Sequence, residues 1–143
     1  NGIPTLGVVF APALNRMFSG STLTGAFEES DVDFKEIKIR AVPSSGPVAV
    51  ASVSHRDEST DQWLTSNNVR ETISIGSSLK FCLVACGEAD VYPRFGPTME
   101  WDTAAGDAVL RAAGGTVLLP NNQPFNYGKK SYRNSAFIAH GEF

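Results

Sequence analysis

The chain has 143 residues, a formal net charge of −3, 42% hydrophobic residues and 19% charged ones. That length suits one core of ordinary size, and the balance excludes a disordered, collagen-like or coiled-coil chain. Acids and bases are interspersed and no apolar run reaches roughly 18 residues, which excludes a membrane span and a broad nucleic-acid or anionic-membrane surface. The protein should be soluble, and any phosphate site in it must be local.

In chain order, Asn1-Gly2 is a hairpin-turn pair that leads at once into the strand-like "TLGVVFAP". No strand precedes the turn, and there is no initiator Met or signal-peptide pattern, so the chain reads as though it starts mid-fold. "GSTLTGAFEE" and the alternating "FKEIKIRAV" continue an antiparallel pattern, so residues 1–43 are expected to be strands of an incomplete sheet. The acid cluster "EESDVD", residues 28–33, reads as a solvated turn. "PSSGP", Pro43 to Pro47, marks a boundary, and residues 47–143 are expected to form an α/β domain.

There the apolar strand "VAVASVS" is followed by a short helix "DESTDQWLTSN" that Asp57 or Ser59 can cap, and then by the strand "ETISI". "SSLKFCLVACG" is a helix closed by Gly87, "ADVYPR" a strand, and "DTAAGDAVLRAA" a helix closed by Gly114 and Gly115. "TVLLP" and "SAFIAH" complete a mostly parallel or mixed sheet flanked by helices. Cys82 and Cys86 sit on one helix face, which suits buried thiols in a reducing compartment and hence a cytoplasmic location.

In such a sheet, ligands gather where strands end and helices begin. "GSSLK" sets Gly76, Ser77 and Ser78 at one such junction, where free N–H groups and the helix dipole favour an anion, with Lys80 one turn in. From those letters alone, a plain serine cap with a solvated lysine is the preferred reading. Arg94 ends the strand "VYPR", and its planar fork suits phosphate or a surface ion pair. His55, directly after a buried-type strand, could stack on a base, bond a phosphate or merely close the strand. His140 has no comparable neighbourhood.

Asp102 is expected at the N-cap of the last helix, with Trp101 walling it off from bulk water and Ala104, Ala105 and Gly106 clearing space for a close approach. A carboxylate so placed could hold a hard divalent ion together with phosphate oxygens and water. It cannot make a catalytic metal site alone.

"WDTAAGDAVLRAAGG" resembles the second signature of the inositol monophosphatase superfamily of Mg2+-dependent, lithium-sensitive phosphatases. "GSSLKFCLVACGEADVYPRFGPTMEWD", "VAVASVSHRD" and "GIPTLGVVFAPAL" are similar to its 3'(2'),5'-bisphosphate nucleotidase (CysQ-like) branch. The resemblance covers essentially the whole chain. It implies the C-terminal part of a sugar-phosphatase-type layered α/β sandwich, acting in sulfur assimilation on adenosine 3',5'-bisphosphate to give AMP and phosphate. The same resemblance implies a soluble cytoplasmic enzyme, at most peripheral at the inner membrane. By motif, Asp102 is the Mg2+ ligand and catalytic residue. Ser77, Ser78, Lys80 and Arg94 bind phosphate, and His55 lies along the nucleoside. Val53 departs from the branch, where an arginine is frequent.

The family's first signature, Asp-Pro-Ile/Leu-Asp-Gly-Thr, is absent, and with it most of the metal ligands. The resemblance therefore implies that the chain is inactive alone and that its partner is the N-terminal half of the same enzyme. Inositol or fructose phosphates are the alternative substrates, and a catalytically silent nucleotide-binding module is the alternative of a different class.

Overall fold

A computed structural model describes residues 2–52 and 57–143. Four antiparallel strands come first: β1 (Leu6–Ala11), β2 (Arg16–Ser21), β3 (Gly25–Glu29) and β4 (Phe34–Ile37), paired in that order. A five-stranded mixed sheet follows, built from β5 (Val48–Ala51), β6 (Glu71–Ser74), β7 (Val91–Arg94), β9 (Thr116–Leu118) and β11 (Phe137–His140) in the order β6-β5-β7-β11-β9. β5 runs parallel to β6 and β7, while β11 runs antiparallel to β7 and β9. β8 (Thr98–Met99) and β10 (Arg133–Asn134) form a separate short ladder. The helices are α1 (Glu58–Ser66), α2 (Leu79–Ala85) and α3 (Glu100–Ala112).

The period-2 alternation of the mixed sheet assigns its two faces. Val50, Tyr92, Phe137 and Ala139 turn into the main core with α2 and α3, while Ala49, Val91 and Ile138 turn to the other side and meet Leu64 of α1. Phe18, Ala26 and Ile37 of the first sheet join the main core. The helices α2 and α3 are therefore packed between two sheets, with α1 outside the second. Gly20 makes this close approach possible, because a Cβ there would lie 2.7 Å from Val109 Cα of α3.

At the centre an aromatic cluster locks α2 to the mixed sheet. Phe81 meets Tyr92 edge-on at 5.2 Å between ring centroids and stacks with Phe137 at 5.6 Å. A partly buried ion pair fastens the segment between β4 and β5: Arg40 forks both oxygens of Asp90 at 2.8 and 3.0 Å, and the Val48 N–H donates to Asp90 at 2.7 Å. Asp57 caps α1 as expected, accepting from the Thr60 N–H at 2.8 Å.

The acid cluster is not wholly a solvated turn. Glu28 is buried in β3, where Arg16 and Lys35 pair with it. Burial alone would lift its carboxyl, and the bonds from Arg16 and Lys35 bring it below the ordinary range. The sequence pattern hides this because Arg16 lies two strands' length away and reaches Glu28 only through the β2–β3 pairing.

Candidate active site

One cavity of about 410 Å³ lies where the ends of β5 and β7 meet the starts of α2 and α3. Its walls include Ser77, Lys80, Arg94 and Asp102, four residues drawn from three separate sequence clusters. Chain topology brings them together: β7 delivers Arg94, the β6–α2 junction delivers Ser77 and Lys80, and the first turn of α3 delivers Asp102.

Lys80 is 3% exposed, so the solvated-lysine alternative does not hold. Its ammonium donates to the Ile75 carbonyl at 3.1 Å and sits 5.2 Å from the Tyr92 ring centroid. Burial, and then the nearby Arg94 guanidinium, pull its pKa down to about 8. Arg94 is also buried, and the Gly96 and Pro97 carbonyls accept from its Nε and Nη2 at 3.1 and 3.2 Å. Two cations are thus held rigidly at one wall by main-chain carbonyls, which orient them without neutralising them. Ser77 is exposed and adopts a left-handed backbone with φ of 56°.

Asp102 stands elsewhere than expected. The helix begins one turn earlier, at Glu100, with Met99 as N-cap, so Asp102 is the third helical residue. Its Oδ2 accepts from the Met99 N–H at 2.8 Å, the back-reaching half of a capping box. Trp101 does not wall it off: that ring is 68% exposed, and Asp102 itself is exposed at the cavity rim. The sequence misplaces the helix start because Thr98 and Met99 pair with β10, a contact that no local pattern announces.

Ser78 is a second departure. Its hydroxyl donates to the Asp102 carbonyl at 2.9 Å, and it is absent from the cavity lining. His55, and Val53 with it, lie outside the described residues. His140 is half-buried beside Phe143, with Nδ1 2.8 Å from the Gly141 carbonyl oxygen.

Sequence reasoning missed Tyr92, Thr98 and Thr103, which also line the cavity. For Tyr92 a signal existed, since it stands two residues before Arg94 and period 2 puts both on one face of the strand. Among the described residues no group of three or more His, Cys, Asp or Glu could hold a metal ion. A lone carboxylate such as that of Asp102 could supply at most one ligand to a hard divalent ion, the rest of whose shell would have to be phosphate oxygens, water or other protein groups.

The family model for the inositol monophosphatase family matches residues 1–142. The curated 3'(2'),5'-bisphosphate nucleotidase CysQ of Escherichia coli strain K12 is 46% identical over 138 residues, covering 96% of this chain and 55% of that protein. The chain thus spans about half the length of the curated relatives it matches. The crystal structure of CysQ from Bacteroides thetaiotaomicron superposes with a TM-score of 0.89 at 35% identity, covering 100% of this chain and 60% of that one. An inositol monophosphatase structure from Anabaena (Nostoc) gives 0.80 at 25% identity, over 100% of this chain and 58% of the other.

Proposed function

This chain belongs to the inositol monophosphatase family, and from that premise we propose that it is the phosphate-gripping part of a 3'(2'),5'-bisphosphate nucleotidase. The reaction is hydrolysis of the 3'-phosphate of adenosine 3',5'-bisphosphate, leaving AMP and inorganic phosphate, and the enzyme is cytoplasmic, in sulfur assimilation. One observation carries the reading: Lys80 and Arg94, both buried and both cationic, face the same cavity as Asp102.

A substrate with two phosphates needs two separate sets of charge. Lys80 and Arg94, with Ser77 beside them, hold the phosphate that stays on the nucleotide, and the rigid fork of Arg94 offers two parallel N–H donors to it. Asp102 lines the same cavity at its rim, and the phosphate to be cleaved is assigned to its side. When bound there, Mg2+ neutralises charge on that phosphate and supplies an activated water. Asp102 would be one protein ligand of that ion, and the remaining ligands would come from the length that the relatives carry beyond the matched part. His55 is assigned to the nucleoside on motif alone.

The 143-residue chain alone is then expected to release no phosphate from adenosine 3',5'-bisphosphate with Mg2+. Turnover near that of a full-length relative would sink the division of the site. In the completed enzyme, Lys80→Ala should raise KM for the bisphosphate about 10-fold or more, the cost of losing a charged hydrogen bond of about 1.5–3 kcal/mol. A preference for inositol monophosphate over the bisphosphate would instead favour the sugar-phosphate reading, and nucleotide binding by a completed but inactive enzyme would favour the silent module.

A further inference from the structure

A polar network that the proposed phosphate chemistry does not use runs from the cavity wall into the buried interior. Thr103 and Asn134 are 2% and 4% exposed. The Asn134 side-chain amide donates to two hydroxyls, Thr98 Oγ1 at 3.0 Å and Thr103 Oγ1 at 3.1 Å. The Tyr127 hydroxyl donates to Thr103 Oγ1 at 3.2 Å, and the Thr103 hydroxyl donates onward to the Glu100 carbonyl at 3.2 Å.

The two acceptors of that amide belong to different elements. Thr98 is on β8 and Thr103 is in the first turn of α3, and both line the cavity. A carboxamide is planar, and its two N–H bonds diverge at a fixed angle, so it sets the spacing of the two groups it bonds. β10 adds to this by pairing Asn134 with Thr98 and Arg133 with Met99, which fixes the strand whose Met99 N–H holds the Asp102 carboxylate. The strand and the helix turn that aim Asp102 are thereby both tied to Asn134, far along the chain.

We propose that Thr103 and Asn134 are positioning residues for Asp102, forming a hydroxyl–amide brace that fixes the angle at which its carboxylate enters the cavity. The inference rests on the reading of Asp102 as a metal ligand. Asn134 Oδ1 is buried with no hydrogen-bond partner among the described residues, so the amide carries a desolvation cost that only its two bonded protons offset, and both of these go to elements that flank one carboxylate. Groups that orient metal ligands in this way commonly change metal affinity about 10- to 100-fold when removed.

The test uses the completed enzyme containing this chain, with Mg2+ binding read by calorimetry and the Mg2+ dependence of turnover read separately. Thr103→Val keeps the shape and removes the hydroxyl, and it should weaken Mg2+ binding about 10-fold or more. KM for the bisphosphate at saturating Mg2+ should stay within about twofold, because the phosphate-binding cations are untouched. Thr103→Ser should restore Mg2+ affinity, and Asn134→Leu should mimic Thr103→Val. Amide exchange at Met99 should quicken in both impaired variants. Asp102→Asn is the control. If it leaves Mg2+ binding unchanged, the metal reading of Asp102 itself is overturned. If Asp102→Asn abolishes binding while Thr103→Val leaves both Mg2+ affinity and Met99 exchange unaltered, only the brace is overturned. A Thr103→Val protein that is less stable yet binds Mg2+ normally likewise overturns the brace.

Discussion

Ser78 donates its hydroxyl to the main-chain oxygen of Asp102 at 2.9 Å, joining the start of α2 to the first turn of α3 across 24 residues of sequence. The start of α2, with Ser77 just before it and Lys80 in its first turn, is thereby fastened to the helix that carries the acid. Ser78→Ala should cost about 1 kcal/mol of stability, the net value of an ordinary hydrogen bond. In the completed enzyme it should raise the Mg2+ concentration for half-maximal rate more than it raises KM for the bisphosphate. The opposite split, a raised KM with unchanged Mg2+ dependence, would return Ser78 to direct contact with substrate.

Lys80 makes the site pH-sensitive in a definite direction. Its ordinary pKa is 10.5, and burial and Arg94 bring it to about 8 in the folded protein. Below about pH 8 the cavity holds two cations; above it Lys80 loses its proton and the grip on phosphate weakens. The value of kcat/KM should therefore fall on an alkaline limb near pH 8, and Lys80→Arg should move that limb beyond about pH 9. Stability runs the other way. Between about pH 8 and 10.5 the unfolded chain binds the proton that the folded one has released, so this group makes stability rise with pH across that window. Chemical denaturation at about pH 7.5 and about pH 10, in the wild type and in Lys80→Met, isolates the contribution; an equal pH dependence in both would rule it out.

Gly106 sets how closely α3 can approach α2. A Cβ built there would lie 2.7 Å from Phe81 Cδ2 and 2.9 Å from its Cβ and Cγ, so the ring must move, and that ring is also packed on Tyr92 and Phe137. Gly106→Ala should lower stability by about 1–3 kcal/mol, the usual cost of overpacking, although alanine is the better helix former. A lowered denaturation midpoint with unchanged m-value is the expected result, and adding Phe81→Leu should recover part of it. A stabilised Gly106→Ala protein would show that the ring yields freely.

The layered fold is legible where local chemistry is strong. Alternation in "FKEIKIRAV", the continuous apolar start of "VAVASVS", the Asp57 cap and the glycine stops at Gly87 and Gly114 all have short-range causes, and they place the strands and helices in order. The grouping of Lys80, Arg94 and Asp102 is legible too, because strand-to-helix junctions of one sheet edge converge. What escapes the sequence depends on distant partners. The α3 start moves because β10 pairs with β8, Glu28 is buried because Arg16 reaches it, and Ser78 turns to Asp102 because two helices pack side by side. None of these partners lies within a turn of the residue it governs.

The two thiols should be inert despite their nearness. Burial, and then the carboxylate of Glu88, push the Cys86 thiol up to about 11, and burial raises that of Cys82 further still. At about pH 8 a thiol of that acidity is ionised to about one part in a thousand, so alkylation of Cys86 by iodoacetamide should run about 100-fold slower than that of free cysteine. Cys82, 0% exposed, should not react until the protein unfolds. No internal disulfide should form under mild oxidation either, because residues four apart on a helix hold their Cβ atoms about 5–6 Å apart and a disulfide needs about 3.8 Å. Glu88→Gln removes the charge that opposes thiolate formation and should speed Cys86 alkylation; an unchanged rate would show that burial alone protects it.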